Sequence, residues 1–314
     1  MKKIVLIVLS LSLFTACENE PLEGFFPGTD GGTDPGTGGG TGGGTGGGSS
    51  DDLQLSNYTF DVDTEIPFLG PITINTDFTF NTDNKVSDLD VETVFFGQTV
   101  TALGTIQRDA NGKIVSAKNF EGTTQINQIN ISYSGNNISQ IMFDDFEDDT
   151  EDYTYNFTTS GNEITKTEAG NPISTVYTTD GSGRLIKKES FEAGASIQVE
   201  NLTYDANGNC ITVISSGENN NNTTYGFDSF TNPLKDGFSD QYWLTILDDD
   251  YDAEAGPAIV QFHSTNNWSS VSADGNTVTF MITYNSANRI SSRNGTFSLD
   301  GVDLVQEETF NYVN

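Results

Sequence analysis

An all-β fold is expected from this sequence: an antiparallel meander of about seven β-hairpin repeats forming a curved, extended sheet. Three observations lead there. Apolar residues recur at every second position from Leu53 onward, as in Ile129, Ile131 and Tyr133, in Tyr153, Tyr155 and Phe157, and in Val278, Phe280, Ile282 and Tyr284. Period two is the spacing at which a strand presents one face. A turn residue followed two places later by an apolar one then recurs at Asn84/Val86, Gly112/Ile114, Asn136/Ile138, Asn162/Ile164, Gly183/Leu185, Gly208/Cys210 and Asn288/Ile290. From Asn84 to Gly208 the successive intervals are 28, 24, 26, 21 and 25 residues, which fits one hairpin and its return connection. Helical spacing is nearly absent; Ser239 to Leu247 is the one stretch that would gather Tyr242, Trp243, Ile246 and Leu247 on one side.

The chain begins with an export signal over residues 1–16: Lys2 and Lys3, then an apolar run from Ile4 to Leu13. That run is shorter than the roughly 20 apolar residues a permanent span needs. Phe14-Thr15-Ala16-Cys17 follows. It resembles the lipobox of bacterial lipoproteins, which implies that the Cys17 thiol is acylated and becomes the mature N-terminus. Each buried CH₂ of such chains contributes ~0.8 kcal/mol to membrane attachment. The protein is therefore expected to be anchored, not spanning. Glu18 and Glu20 behind the cysteine are similar to the acids that follow it in outer-surface lipoproteins of Bacteroidota. Residues 17–50 form the acylated cysteine and its tether, rich in Gly and Thr and carrying three Thr-Gly-Gly-Gly units. Such a segment cannot bury a core. As a flexible coil it spans about 30 Å and at full stretch about 115 Å.

The folded body is expected over residues 51–314: hairpin repeats over 51–232, a short irregular or helical insert near 233–275, and C-terminal hairpins over 276–314. Asp109-Ala110-Asn111-Gly112 and Asp205-Ala206-Asn207-Gly208 suit type I turns closed by a left-handed residue. With its tyrosine, Tyr204-Asp205-Ala206-Asn207-Gly208-Asn209 resembles the YD (Rhs-type) repeat. Tyr225-Gly226-Phe227-Asp228 running into Asn232-Pro233, with Phe310-Asn311-Tyr312 at the end, is similar to small YD-repeat-like lipoproteins of Bacteroidota. The resemblance spans roughly residues 75–314. It implies a surface protein of the outer membrane, with the periplasmic face as the alternative.

The charge balance is 13 basic against 45 acidic residues, net −32. Nucleic acid and anionic headgroups are repelled by such a surface, so nucleic acid is not an expected partner. The only cysteine besides Cys17 is Cys210, at a position where other repeats carry an apolar residue. It reads as a small buried hydrophobe. His263 stands alone in Val260-Gln261-Phe262-His263-Ser264, which reads as a strand with the imidazole in solvent. No nucleophile elbow or Cys-His pair accompanies it.

The insert holds both tryptophans, His263 and the acidic run Asp248-Asp249-Asp250-Tyr251-Asp252. It is expected to cap the open end of the sheet, or else to be a site carried on a rigid frame. Asp248, Asp249, Asp250 and Asp252 are candidate calcium ligands, a solvated loop being the plainer expectation for this run and for Asp144 to Asp152. Tyr242, Trp243 and Trp268 are a candidate ligand platform, suited to sugar stacking, against which stands a core role at the junction of sheet and insert. The expected function is a lipid-anchored, non-catalytic cell-envelope binding or scaffold protein with a glycan or protein ligand and no catalytic residues. The alternatives are a glycan-handling hydrolase using a carboxylate pair, and an adhesin or structural surface component.

Overall fold

The computed structural model describes residues 54–66, 70–95, 97–273, 275–299 and 302–313. The signal, Cys17 and the Gly/Thr tether lie outside the described residues. Among the described residues the period-two segments form nineteen strands. They are β1 (Leu55–Ile66), β2 (Gly70–Phe80), β3 (Val86–Phe95), β4 (Gln98–Arg108), β5 (Ile114–Glu121) and β6 (Thr124–Ser134). Next come β7 (Asn137–Asp145), β8 (Tyr153–Ser160), β9 (Glu163–Glu168), β10 (Ile173–Thr179), β11 (Leu185–Glu192), β12 (Ala195–Tyr204), β13 (Cys210–Gly217) and β14 (Asn221–Thr231). After the insert follow β15 (Asn266–Ala273), β16 (Asn276–Thr279), β17 (Met281–Tyr284), β18 (Ile290–Leu299) and β19 (Val302–Tyr312). β16 and β17 are one strand broken at Phe280, whose N–H still donates to the Ser269 carbonyl of β15 at 2.9 Å. Elsewhere each strand pairs antiparallel with its sequence neighbour.

The sheet is not open. β19 pairs antiparallel with β1, Tyr58 opposite Phe310 and Phe60 opposite Glu308, so the meander closes into a barrel. The expected extended sheet is corrected on this point. Twist accumulated over so many strands brings the last back to the first, and closure removes both unpaired edges. The insert is corrected too. Residues 266–273 and 276–279 are strands of the wall, so the irregular part ends at His263, not near 275.

Five connections on one rim share a single turn. In Asn81–Lys85, Asp109–Lys113, Asp180–Arg184, Asp205–Asn209 and Asn285–Arg289 the first residue exchanges main-chain bonds with the fourth and fifth. Its side-chain oxygen also accepts the N–H of the third and fifth. The fourth residue is left-handed: Asn84, Gly112, Gly183, Gly208 and Asn288. At Asn136 and Asn162 the left-handed residue is instead the preceding glycine, Gly135 or Gly161, in two-residue turns.

The base or amide that ends the turn has a second use. Lys113, Arg184 and Arg289 lie 4.8, 4.5 and 5.1 Å from the ring centroids of Tyr133, Tyr204 and Tyr312. Those tyrosines donate their hydroxyls to the carbonyls of Ile114, Leu185 and Ile290, clipping each hairpin to its neighbour.

Alternation sends apolar side chains inward and polar ones outward. Tyr58, Phe60 and Val62 of β1 are buried, and Thr59, Asp61 and Asp63 face out. One core cluster includes Phe78, Phe80, Val86, Leu89, Ile290 and Phe310; the other includes Ile129, Ile141, Phe143, Tyr155, Leu202 and Trp268. Among the described residues no helix is long and apolar enough to cross a membrane.

Candidate functional site inside the barrel

The β14–β15 connection does not cap the barrel; it fills it. A cap presumes an open sheet end, and closure leaves none. Asn232 forms the neck, donating to the Gln261 and Ser264 carbonyls while its Oδ1 accepts the Leu234 N–H. Inside lie α1 (Leu234–Gly237), a 3-10 turn Ser239–Gln241, α2 (Tyr242–Leu247), α3 (Gly256–Ala258) and a π turn Ile259–His263. The helix expected over Ser239 to Leu247 is therefore present. The insert joins both core clusters, through Leu234, Phe238 and Phe262 on one side and Ile246, Leu247, Ile259 and Val260 on the other. Glycines seat it closely. A Cβ on Gly237 would stand 2.4 Å from the Phe80 ring, and one on Gly256 would stand 2.4 Å from Val213 Cγ2.

Charge fastens the insert to the wall. Lys85 pairs with Asp236 at 3.1 Å, and Arg108 with Asp240 at 2.7 Å. Across the barrel Lys166 donates to the Asp249 carbonyl and Lys188 to those of Asp250 and Ala253. Tyr153 donates to the Asp248 carboxylate at 3.0 Å, and Ser215 and Asn221 donate to Glu254. The Glu200 carboxylate accepts the Ala255 and Gly256 N–H groups at 3.1 and 2.9 Å. Burial pushes the Asp248 and Asp249 carboxyls up to about 6 against the pull of the lysines, and Glu200 up to about 7. Burial, with Lys188 nearby, lowers Lys166 to about 8.

The candidate site residues take these places. The run Asp248 to Asp252 is only partly a solvated loop: Asp250 is exposed, and Asp248, Asp249, Tyr251 and Asp252 are half-buried. It lines the inner wall, with its carbonyls turned to lysines, because the insert's return passes down the lumen. Among the described residues no group of three or more His, Cys, Asp or Glu is placed to share a metal ion. The other acidic run stays an exposed loop between β7 and β8, with Asp148 capping a 3-10 turn at Asp149–Glu151. Tyr242, Trp243 and Trp268 do not form one platform. Tyr242 stacks edge-on with Trp243 and His263 and accepts the Leu185 N–H at 2.8 Å. Trp268 is buried against Tyr225 and Phe280, under the Arg293 guanidinium at 4.9 Å. His263 ends the π turn instead of lying on a strand, and its Nε2 is sealed from solvent. Burial there lowers it to about 3. Cys210 is buried, as expected, and burial pushes its thiol up to about 12.

A second charged group lies at the barrel seam. Arg293 of β18 grips Glu308 of β19 through Nε at 2.8 Å and Nη2 at 2.5 Å. Tyr58 of β1 donates to Glu308 at 2.7 Å and accepts from Gln261 of the insert at 2.7 Å. Sequence reasoning passed over Lys166, Lys188, Glu200, Arg293 and Glu308. The signal was there: Lys166 shares a strand face with Ile164, Glu200 with Leu202 and Tyr204, and Glu308 with Phe310 and Tyr312.

No family model matches the chain, and no curated protein does. Among solved structures, a porin-like protein from Bacteroides uniformis aligns at TM-score 0.47 and 12% identity, over 83% of this chain and 98% of that one. A porin-like protein from Bacteroides vulgatus aligns at TM-score 0.28 and 9% identity, over 82% of this chain and 98% of that one. The TcdB2-TccC3-TEV structure aligns at 0.28 and 13% identity, over 74% of this chain and 11% of that one. With TM-scores below 0.5, none of these likenesses bears on what the chain does.

Proposed function

We propose that the chain is a lipid-anchored, non-catalytic binding or scaffold protein of the outer membrane, held at the cell surface through Cys17. The observation that carries this reading is the polarity of the outer wall. A barrel that crosses a bilayer by its strands turns an apolar band outward, about 25 Å tall. Here the outward positions of adjoining strands are chiefly polar: Thr59, Asp61 and Asp63 on β1, Asp77 on β2, Asp88, Asp90 and Glu92 on β3, and Glu307 on β19, with the apolar Val94 and Val305 in the same outward row as Asp63. Such strands belong in water, and the filled lumen suits a rigid body better than a conduit. Attachment then falls to the N-terminal lipid, and the tether lets the body reorient.

The basic residues support a binding surface of one sign. Lys85, Arg108, Lys166 and Lys188 hold the insert, Arg293 is buried, Lys113, Arg184 and Arg289 sit over tyrosines, and outside Arg184 pairs with Asp180 and Lys187 with Glu189; with 13 bases against 45 acids, most acids outside go unmatched. Radiolabelled palmitate should enter the wild-type chain and not Cys17→Ala. Protease applied to intact cells should then shave the body, and glycan and protein arrays should return a partner. Label in both chains would remove the anchor from the reading. Polysaccharide cleavage abolished by losing one carboxylate would replace it with the hydrolase.

A further inference from the structure

The insert is made of two unlike parts. Its helical turns bury Leu234, Phe238, Ile246, Leu247, Ile259, Val260 and Phe262, whereas residues 248–254 between them bury no aliphatic or aromatic side chain. The wall behind this stretch is polar in step. Two neighbouring inward rows run across consecutive strands, Lys166–Thr175–Ser190–Gln198 and Tyr177–Lys188–Glu200–Ser215. All eight side chains are buried. Replacing buried charges with well-packed apolar residues is often neutral or stabilising, so fold stability alone gives no reason for two lysines and a glutamate here.

What these groups address is main chain. Lys166, Lys188 and Ser190 donate to the carbonyls of Asp249, Asp250, Tyr251 and Ala253, and Glu200 accepts the amides of Ala255 and Gly256 just past that stretch. The Tyr177 hydroxyl, fully buried in the second row, has no hydrogen-bond partner among the described residues. The stretch reaches the mouth opposite the turn rim, where Tyr251 donates to Glu218 and Asn219 donates to Asp252.

We propose that this inner wall is a binding site for an acidic peptide segment, and that residues 248–254 are its internal occupant, a lid that swings out through that mouth. The inference rests on the binding-protein reading above. Donors aimed at carbonyls recognise a peptide backbone whatever its side chains, while Glu200 keeps the Ala255 and Gly256 amides and so fixes the hinge at which the lid ends. The two ammonium groups, buried where screening is weak, select one that carries carboxylates. Opening the lid breaks polar contacts and leaves the apolar parts of the insert seated. An internal occupant competes at high effective concentration, so the closed chain binds an external peptide weakly.

The test uses a fluorescent peptide with the sequence of residues 247–255, followed by anisotropy. It is titrated into the full chain and into a variant whose residues 248–254 are a Gly/Ser segment of equal length. The open variant should bind at least tenfold more tightly than the unaltered chain, and Lys188→Met in the open background should lose at least tenfold. A peptide with every Asp and Glu changed to its amide should bind at least tenfold more weakly. A folded open variant that ignores the peptide overturns the proposal, as does equal binding of the amide peptide. If the open variant does not fold, Asp252→Ala with Glu254→Ala, which only loosens the lid, must raise peptide binding severalfold or the proposal fails. An array partner that binds open and unaltered chains alike would uphold the binding-protein reading while removing its ligand from this chamber.

Discussion

Replacing Arg293 with Met tests the seam of the barrel most directly. Arg293 and Glu308 are 1% and 0% exposed, and the guanidinium makes two bonds to the carboxylate and a third, at 3.2 Å, to the Trp268 carbonyl. In Arg293→Met the carboxylate keeps, among the described residues, Tyr58 and Gln306 as donors, at 2.7 and 2.6 Å, and its charge is left unpaired in the core. Breaking a buried pair from one side costs about 3–5 kcal/mol. Removing both charges in Arg293→Met with Glu308→Leu should recover most of that, to within about 2 kcal/mol of wild type, because an apolar pair carries no desolvation penalty. Urea unfolding followed by far-ultraviolet circular dichroism and tryptophan fluorescence measures both. A single variant that loses under about 1 kcal/mol would refute the reasoning. So would a double variant no more stable than the single one, since the cost would then lie in lost packing and not in an uncompensated charge.

Other outcomes follow from the insert and its seat. Asp248 and Asp249 have folded-state values raised to about 6, above those of exposed carboxyls, so the folded chain holds extra protons between about pH 4 and 6. Their contribution to stability is present at the acid end and lost as pH rises through that window; Asp248→Asn with Asp249→Asn should flatten the fall in urea midpoint between pH 4.5 and 7.5. Gly256→Ala drives a Cβ to 2.4 Å from Val213, and overpacking of this kind costs about 1–3 kcal/mol, measured as a lower urea midpoint. A Val213→Ala partner should return part of the loss. The Cys210 thiol, buried and raised to about 12, should resist iodoacetamide at pH 8 in the folded chain and react once guanidinium unfolds it; equal rates in both states would contradict its burial.

Legibility in the sequence followed the range of the forces involved. Strand faces and turns are set within a few residues, by alternation and by an Asp or Asn oxygen that accepts amides two and four places on, so both could be read directly. The short helix Tyr242–Leu247 was legible for the same reason. Cys210 was legible because its strand face is otherwise apolar. The candidate site was not. Lys166, Lys188 and Glu200 are the residue types that usually point to solvent; the apolar neighbours on the faces of Lys166 and Glu200 signal burial but not what will enclose those faces.

What the sequence determined by itself is a meander of antiparallel strands with one irregular interruption after Asn232-Pro233. The tertiary structure alone decided that the meander closes and that the interruption turns inward. Closure depends on twist summed over the whole wall and on pairing Tyr58 with Phe310, a contact no neighbouring residue specifies. Once the ring is shut its interior must be filled, because a wall of apolar side chains around an empty lumen would forfeit its packing. The insert supplies that filling, and its main-chain carbonyls meet lysines that only closure brings to face them.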